Sequence, residues 1–578
     1  MLLSISQFWQ EHSALAILLC ILVIVIPLLV FYCIKAHRDH PKGLIPAAIA
    51  NMGERFGYYI MNAVLLLFLC SKFGISDAAA GWIYAVFYFL IYVLSLPGGM
   101  IADRTQKYKG TIISGLLAMA IGYALLSIPV FSDGPAGGVS WVLVFTCFAL
   151  FIIAFGNGLF KGNLQAIVGQ LYDNFEAEAA KKGPKELEIA KSRRDSGFQI
   201  FYVFINIGGV IAPFIAPLLR EFWLKAHHLA YNADLPRLCH KLLNDAGNMS
   251  AGDHANLVEL AGKVGYEGAV DSGFCTQYLE IFNTGVHFSF IASVVAMLIS
   301  LAVFAWVMKR LPNPVKKAKN DSNVSAADAA HDAKEIKQRM FALYAVLLVV
   351  VFFWFSFHQN GLTLTMFAKE FTDLSGLKIN LGFTSIEGAE VFQSINPLCV
   401  VLLTPVIVGI FGWLRARGKE PSAPRKIAIG MGIAALAFAV MAVGSYIGDL
   451  PLWSSLFSKT VDPETGKNVV TAIRVLPDAA KVTPLLLIGT YVILTVAELF
   501  ISPLGISFVS KVAPPKYQGV MQGGWLGATA IGNQLLFIGA ILYEHIPIWM
   551  TWSVFVVACV LSMFTMLAML KWLERVTQ

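Results

Sequence analysis

Long apolar stretches alternate with short polar segments along almost the whole chain. Most stretches are close to the 18 to 20 residues that a helix needs to cross the hydrocarbon of a bilayer. In lipid the backbone has to satisfy its own hydrogen bonds, which favours helices. The short alternating segments of a membrane β-barrel are absent from the sequence. The pattern therefore predicts an all-α integral membrane protein with thirteen spans. They lie near residues 13–34, 45–71, 78–102, 109–130, 141–170, 197–218, 285–308, 337–368, 389–412, 425–447, 484–510, 519–543 and 548–573.

The domain plan follows from the first span and from one charged segment. No basic residue precedes the first apolar run and it has no small-residue cleavage site, so residues 1–44 are predicted to hold a retained helix and a cytoplasmic link. The segment 309–339 carries a lysine cluster and is interpreted as a linker. It separates a predicted six-helix bundle at 45–308 from a second one at 340–578. Six plus six helices around a central cavity is a common transporter plan.

The basic residues indicate the orientation. Loops on the side of the linker carry 29 of the 43 Lys and Arg residues, whereas the opposite loops carry 12. Cytoplasmic loops are enriched in Lys and Arg, so the N-terminus is predicted outside and the C-terminus in the cytoplasm. The predicted location is the cell membrane, which is the inner membrane in a Gram-negative host. The outer loop 219–284 mixes polar and apolar residues, so helical pieces are expected there.

Composition supports the membrane class. The chain is 57% hydrophobic and 14% charged, whereas soluble domains carry about 25% charged residues. The net charge of +7 is spread over the loops and indicates no nucleic-acid partner. The eight cysteines form no CxxC pair and no metal-ligand spacing, so neither a metal nor a cofactor is expected. Cys239 and Cys275 share the outer loop, and whether they pair depends on the compartment that it faces.

Charges inside the predicted spans are rare. Because each costs at least about 2.5 kcal/mol by insertion scales, those retained are candidates for function. The first group lies in span 45–71, where polar residues recur on one helical face. They are Asn51, Glu54, Arg55, Tyr58, Tyr59 and Asn62. This stripe predicts the lining of a water-filled cavity, and the alternative is a structural Glu54–Arg55 pair that locks two helices.

Three further candidates lie in other spans. Lys161 is surrounded by glycines, and its distance from the end of its span argues against snorkelling to the interface. Glu498 precedes Pro503, which removes a helical hydrogen bond as in discontinuous transporter helices. Its alternative is a carboxylic acid kept neutral by burial. His358 lies in an aromatic run, where it is either a packing residue or part of a proton relay.

These charges differ in sign between the two halves of the chain. Arg55 and Lys161 in the N-terminal half would attract a carboxylate, and Glu498 in the C-terminal half would attract an ammonium group. A zwitterion with separated ends, such as a dipeptide, matches this arrangement. Its binding would favour closure around the substrate.

The segment Glu54–Tyr59 resembles the ExxERFxYY signature of the proton-dependent oligopeptide transporters, a branch of the major facilitator superfamily. Further ordered matches span residues 45–575. They are Gly98–Arg104, Gly156–Asn163, Phe201–Gly208, Gln393–Pro397, and Glu498 with Ser502–Pro503. The resemblance implies the major facilitator fold, here with one extra N-terminal transmembrane helix. It also implies a monomer that imports di- and tripeptides together with protons, by alternating access.

The resemblance implies a role for each matching position. Arg55 and Lys161 would hold the peptide carboxylate, and Glu54 would take part in proton coupling. The amino end and the peptide backbone would be held by Asn206, Asn396 and Glu498. Side-chain pockets would be lined by Tyr58, Tyr59, Tyr92, Trp354 and Trp525.

The sequence departs from the family at three positions. Asn51 replaces the first glutamate of the signature, which removes a proton site and a partner for Lys161. Asn62 and His358 replace an arginine and an acid that would form one salt bridge, so the two losses are mutually consistent. If protons drive transport, the remaining candidates are Glu54, Glu498 and His358.

Other functions stay open. The same fold could carry another small zwitterion or an anion, or could carry peptides with altered or absent proton coupling. A membrane receptor or scaffold is a remote alternative, because it need not keep charges in both halves. The sequence has no HExxH, no GxSxG and no paired intramembrane aspartates, so an enzyme is not predicted.

Overall fold

A computed structural model of the chain describes most residues beyond the N-terminal segment. The described residues are 23, 26–34, 38–75, 77–130, 140–232, 235–245, 249, 251–312, 326–373, 378–380, 385–387, 391–461, 468–473 and 481–577. Most of the predicted first span, 13–34, lies outside these residues, and residues 26–34 are helical. The helix predicted at the N-terminus therefore stays a prediction.

Helices make up most of the described chain. They are α1 (Leu44–Phe73), α2 (Asp77–Val93), α3 (Ser95–Thr105), α4 (Tyr108–Ser127), α5 (Trp141–Ala180), α6 (Pro184–Ala226), α7 (Leu235–Asp245), α8 (Ala251–Lys263), α9 (Ser272–Val307), α10 (Ala326–Phe357), α11 (Thr363–Phe371), α12 (Val391–Ala416), α13 (Ala423–Ile447), α14 (Pro484–Val512), α15 (Gln518–Gln534), α16 (Leu536–His545) and α17 (Ile548–Thr577). Two small two-stranded sheets lie in loops. Their strands are β1 (Lys378–Asn380) with β2 (Ser385–Glu387), and β3 (Phe457–Val461) with β4 (Asn468–Ile473).

Twelve stretches of helix in the described residues are long and apolar enough to cross a membrane. They correspond to the twelve spans predicted from residue 45 onward, so the prediction of an all-helical multi-pass membrane protein is confirmed. The outer loop 219–284 contains α7 and α8, as expected from its mixed composition. The antiparallel pair β3 and β4 in the loop before α14 was not predicted.

The prediction of a loop at residues 171–196 was wrong, because most of this segment is helical. Helix α5 continues to Ala180, and α6 begins at Pro184. Gly183 between them has a φ of 132°, a region that favours glycine, and proline is well tolerated in a first helical turn. These two residues allow a turn short enough for both helices to extend beyond the lengths that hydropathy indicates.

The chain forms two compact units. The first comprises Met1–Leu171, Phe204–Asn313 and Asn380–Ser385, and the second comprises Tyr172–Val203, Pro314–Ile379 and Ile386–Gln578. The end of α5 and the start of α6 thus belong to the second unit, although the rest of both helices belongs to the first. Helix α10 begins at Ala326, within the segment predicted as the linker.

Glycines allow close helix contacts in the first unit. A Cβ added to Gly98 of α3 would lie 2.1 Å from the carbonyl oxygen of Gly158 on α5. A Cβ added to Gly115 of α4 would lie 2.6 Å from the carbonyl oxygen of Gly156 on α5, and a Cβ added to Gly156 would lie 2.6 Å from that of Gly115. Small residues drive helix association in membranes because they let backbones approach. The glycines around Lys161 therefore serve helix packing.

Small residues also join α1 to α9. Ser300 of α9 donates a hydrogen bond to the carbonyl oxygen of Ala50 at 2.9 Å, and Ser293 donates to that of Gly57 at 2.8 Å. A Cβ on Gly53 would lie 2.3 Å from the Ser300 hydroxyl oxygen. These contacts hold the helix that carries Glu54 and Arg55 against its neighbour.

The second unit contains a network of buried ion pairs at one end of its helices. The carboxylate of Asp195 accepts from Lys426 at 3.0 Å, from Lys511 at 2.7 Å and from the Ser507 hydroxyl at 2.7 Å. Lys426 also pairs with Glu420 at 2.8 Å. Buried charges are tolerated when they are paired and hydrogen-bonded. Asp195 therefore joins the start of α6 to α13 and α14.

Arg194 makes a second set of contacts beside this network. Its side chain pairs with Asp173 at 2.5 Å and with Glu176 at 2.8 Å, and it donates to the backbone carbonyl of Ser510 at 3.3 Å. A cavity of about 870 Å³ is lined by residues of this region. Neighbouring residues 194 and 195 thus attach α5 and α6 to the second unit with charges of opposite sign.

The glycine contacts predict a large difference between two Gly→Ala substitutions. Gly98→Ala is expected to reduce folded yield and thermal stability strongly, because the new Cβ would overlap the Gly158 carbonyl. Gly409→Ala in α12 is the matched control, since nothing lies within 4 Å of its Cβ position. Alanine is favoured over glycine in helices by about 1 kcal/mol, so the control should be neutral or stabilising. Fluorescence-detected gel filtration after heating measures both, and equal losses would contradict the packing account.

The Asp195 network predicts a second difference. Asp195→Asn leaves Lys426 and Lys511 without their shared carboxylate, and breaking a buried pair costs about 3–5 kcal/mol. The control is Asp173→Asn, whose side chain is 40% exposed and whose partner Arg194 retains Glu176. Its cost should stay below about 1 kcal/mol. Thermal unfolding in detergent ranks the variants, and a control as unstable as Asp195→Asn would refute the assignment.

Candidate functional site

Glu54 is the centre of a buried hydrogen-bonded group in the first unit. Its Oε2 accepts from Nε of Arg55 at 2.8 Å, and its Oε1 accepts from the Asn157 amide at 2.6 Å. The three side chains are each 1% exposed. Charge-assisted hydrogen bonds of this kind offset the cost of burying a carboxylate and a guanidinium. The group also links α1 to α5, so the locking role considered for the pair is part of its geometry.

Arg55 keeps capacity for another partner. Its Nη2 makes no hydrogen bond within the described residues, and the guanidinium carbon lies 4.9 Å from the centre of the Tyr58 ring. The Asn51 amide nitrogen, the Tyr58 hydroxyl and the Asn157 amide oxygen are also buried without a described hydrogen-bond partner. Buried polar groups in native proteins are normally satisfied. A row of unsatisfied groups along α1 is therefore suited to bind a polar ligand or ordered water.

Lys161 lies in α5, one helical turn after Asn157. It is 8% exposed, and its Nζ lies 5.0 Å from the centre of the Tyr92 ring. Among the described residues, no ion pair includes Lys161. A buried ammonium held only by an aromatic face would gain from a ligand carboxylate.

Tyr92 ends a row of tyrosines on α2. The rings of Tyr84 and Tyr88 are 6.0 Å apart, those of Tyr88 and Tyr92 are 5.4 Å apart, and the Tyr84 hydroxyl donates to the Asn62 amide oxygen at 3.0 Å. Tyr84, Tyr88 and Asn157 were not among the predicted site residues. The i, i+4, i+8 spacing of the tyrosines was a signal that could have identified two of them.

The remaining first-unit candidates are less directly connected to the Glu54 group. The Tyr59 ring lies 5.3 Å from that of Tyr58, and its edge faces Gly209 of α6, where a Cβ would lie 3.1 Å away. Asn206 on α6 is buried at 6% exposure. Both residues fall in the same unit as Arg55 and Lys161.

Glu498 of α14 is the centre of a hydrogen-bonded group in the second unit. Its Oε2 accepts from the Asn396 amide at 2.7 Å, and its Oε1 accepts from the Tyr202 hydroxyl at 2.5 Å. The same Asn396 amide lies 3.1 Å from the Thr495 hydroxyl. Tyr202 was not predicted as a site residue, although it lies in the Phe201–Gly208 motif. No cation pairs with Glu498 among the described ion pairs of this unit.

Pro503 does not end α14, which runs without interruption from Pro484 to Val512. The prediction from the sequence that Pro503 interrupts this helix was therefore wrong. The helix is held by its neighbours, since Gly505 receives the ring of Trp525 so closely that a Cβ would lie 1.9 Å from it. Tertiary contacts of this kind compensate for the hydrogen bond that a proline removes.

His358 lies where α10 ends and a 3₁₀ turn, His358–Gly361, begins. Its ring stacks on Trp354, with centroids 4.9 Å apart and planes at 15°, and makes an edge contact with Phe357 at 5.4 Å. Nδ1 of His358 and Nε1 of Trp354 are buried without described hydrogen-bond partners. The packing interpretation accounts for the stack, and the unsatisfied nitrogens leave the relay interpretation open.

The structure thus brings together Glu54, Arg55 and Tyr58, joins Lys161 to Tyr92, and joins Glu498 to Asn396. Trp354, His358 and Trp525 lie in the second unit together with Glu498. Among the described residues, Lys161 in the first unit and Glu498 in the second take part in no ion pair. No cluster of metal ligands is found in the described part of the chain.

The twelve membrane-crossing stretches in the described residues define a multi-pass membrane protein. The sequence model of the POT family matches residues 109–237 and 315–550. The chain therefore belongs to the POT family, whose members are transporters and not enzymes.

Curated relatives match over most of their length. An uncharacterized transporter, YclF, of Bacillus subtilis is 26% identical and covers 89% of this chain and 90% of its own. The peptide transporter YePEPT of Yersinia enterocolitica is 26% identical, with 86% and 87% covered. The dipeptide and tripeptide permease B of Xenorhabdus bovienii is 25% identical, with 93% and 96% covered.

Solved structures support the fold. A crystal structure of a mutant of a peptide transporter, POT, in complex with sulfate matches with a TM-score of 0.53 at 21% identity, over 93% of this chain and 96% of that one. A POT family transporter in complex with a thioalcohol-conjugated peptide matches with a TM-score of 0.51 at 24% identity, over 94% and 98%.

The Glu54 group predicts non-additive stability effects. Glu54→Gln leaves a buried guanidinium without its carboxylate and should cost about 3–5 kcal/mol, and Arg55→Gln should also destabilise. The double variant Glu54→Gln/Arg55→Gln has no uncompensated charge, so it should be more stable than the sum of the single effects by at least about 1 kcal/mol. Thermal unfolding of the three variants measures the coupling, and additive losses would contradict a direct pair.

Proposed function

We propose that this transporter imports di- and tripeptides by alternating access, with Arg55 and Lys161 binding the peptide carboxylate and Glu498 binding the amino group. The observation that carries the proposal is the unpaired charge in each unit. Within the described residues, Lys161 and Glu498 take part in no ion pair, and Nη2 of Arg55 makes no hydrogen bond although its Nε pairs with Glu54. A peptide supplies both missing charges in one molecule.

The neighbouring residues have proposed roles in the same site. Asn206 and Asn396 would bind the peptide backbone, the latter while it holds Glu498. Side-chain pockets would be lined by Tyr58, Tyr59, Tyr92, Trp354 and Trp525. Their aromatic surfaces accept varied side chains because stacking and apolar contact need little fixed geometry. The names of relatives such as the permease of Xenorhabdus bovienii support a peptide substrate.

Proton coupling is proposed on Glu54, Glu498 and His358. Each is a titratable group in a membrane-crossing stretch or at its end, and each can change its hydrogen bonds when a proton binds. We further propose a monomer in the cell membrane, with the N-terminus outside and the C-terminus in the cytoplasm. The distribution of Lys and Arg between the loops supports that orientation.

Peptide transport with altered or absent proton coupling is the second candidate. It is favoured by Asn51, which is buried at 1% exposure on the same helix as Glu54 and cannot take up a proton. The positions of Asn62 and His358 add to this, since neither offers a carboxylate. Under this candidate the substrate site is the same, and only the driving force differs.

Matched changes in peptide and protein test the two charge assignments. A dipeptide with an amidated C-terminus should bind about tenfold to a hundredfold more weakly than the free acid to the wild type, because a charge-assisted hydrogen bond contributes about 1.5–3 kcal/mol. In Lys161→Gln and Arg55→Gln the difference should largely vanish. Competition of radiolabelled dipeptide uptake in proteoliposomes measures the affinities.

A second pair of peptides tests the assignment of Glu498 to the amino end of the substrate. N-acetylation of the dipeptide should weaken binding to the wild type by a similar factor and should matter little to Glu498→Gln. Lys161→Gln is the control here, since it should retain the full penalty for acetylation. If acetylation and amidation are penalised equally in every variant, the assignment of the two ends is wrong.

Counterflow and uptake separate the driving forces. Proton-coupled transport predicts dipeptide uptake that accelerates severalfold with an acidic exterior, whereas counterflow at equal pH persists without a gradient. Substitution of a coupling residue without a proposed substrate contact, such as His358→Gln, should abolish the acceleration and spare counterflow, whereas Glu498→Gln should weaken both. If the uptake rate is the same with and without an imposed pH gradient, proton coupling is excluded and the second candidate is favoured. If small anions stabilise the protein in a thermal-shift screen and no peptide does, the assignment of a peptide substrate is wrong.

A further inference from the structure

Two buried cysteines meet where the outer-loop helices join the first unit. Cys239 lies in α7 and Cys275 lies in the first turn of α9, 36 positions later in the chain. Both residues are 0% exposed, and their thiol groups lie close enough to interact with each other. Free buried cysteines usually pack as small apolar residues, so a thiol–thiol contact between separate helices is a specific arrangement.

Other contacts hold both helices in place, independently of the two thiols. The Asn232 side chain accepts from the first backbone N–H of α7 at 2.9 Å, and the ring of His240 lies 2.6 Å from the carbonyl oxygen of Ser71. Lys241 pairs with Asp253 of α8 at 2.5 Å. The Asp271 side chain accepts from the Phe274 N–H at 2.9 Å at the start of α9. The two cysteine backbones are therefore positioned before any bond between the sulfurs.

We propose that Cys239 and Cys275 form a disulfide that fastens the outer helices α7 and α8 to the membrane helix α9. This inference rests on the orientation given under the proposed function, which exposes segment 219–284 to an oxidising compartment. Neither the transport activity nor the charges of the substrate site enter into it.

The bond forms by thiol–disulfide exchange with an organic disulfide, such as an oxidised dithiol protein of that compartment. One cysteine thiolate attacks the organic disulfide and releases one thiol, and the second cysteine then attacks the mixed disulfide and releases the other. The two cysteines are oxidised by two electrons, and the organic disulfide is reduced to two thiols that take up both protons. Since the thiols are inaccessible after folding, the exchange takes place while α7 docks.

A bond at this point closes a loop that contains all of α8, which limits the unfolded conformations of the outer segment.

Counting thiols in the denatured protein tests the proposal. Cells are lysed in denaturant with a thiol-blocking reagent of low mass, so that every free thiol is blocked. The reagent is then removed, and the full-length protein is reduced and labelled with a maleimide polymer that shifts the gel band. The chain has eight cysteines. A disulfide protects two of them from blocking, so the wild type should gain two polymer labels after reduction. Cys239→Ser, Cys275→Ser and the double variant should gain none.

Resistance to protease gives a second measurement of the disulfide. Reductant should speed protease cleavage within the outer segment by at least about tenfold in the wild type. The double Cys→Ser variant should be cleaved rapidly with or without reductant. A wild type that gains no label after reduction overturns the proposal, and so does a gain that persists in the double variant.

Failure of this inference can be told apart from failure of the proposed function. A reporter fused to the C-terminus measures the orientation, and dipeptide counterflow measures transport on the same preparation. If the C-terminus is cytoplasmic and counterflow is normal but the two thiols are not protected, only the disulfide proposal is wrong. Protected thiols in a protein that carries no peptide support the disulfide and reject the substrate.

Discussion

The cost of leaving a polar group unsatisfied in lipid is the constraint on which this structure depends. It makes every membrane-crossing segment helical, and it permits buried charge only where other groups compensate. Glu54 meets the condition through Arg55 and Asn157, and Asp195 meets it through two lysines and a serine. Such groups are strong determinants of helix position because any displacement exposes a charge to an apolar environment.

The same constraint separates structural charges from charges that can work on a substrate. The carboxylate of Asp195 is paired with two lysines and also accepts a hydrogen bond from a serine, so its charge is compensated within the protein. Lys161 faces an aromatic ring, and part of the Arg55 guanidinium has no described partner. Glu498 accepts hydrogen bonds from neutral groups only. An incompletely compensated charge in lipid is costly, and a transporter can use that cost because binding of the substrate relieves it.

Close helix packing supplies the second requirement of the fold. Because lipid tails are as apolar as leucine, helices gain little from simple burial and associate through fitted surfaces. Gly98 and Gly158 allow backbone contact beside Lys161, and Gly53 allows it beside Glu54. The charged residues are thus carried on helices whose positions are determined by the smallest residues near them.

The sequence by itself determined the twelve membrane helices from residue 45 onward and the residues in them that carry intramembrane charge. Hydropathy is a local property, and a charge in an apolar stretch is visible without a fold. It did not reveal that α5 and α6 extend through most of residues 171–196, because the contacts of Arg194 with Ser510 and of Asp195 with Lys426 join distant parts of the chain. It also missed Asn157 and Tyr202 as partners of Glu54 and Glu498. Which neutral side chain meets a given carboxylate depends on how helices pack, and that was decided only by the tertiary structure.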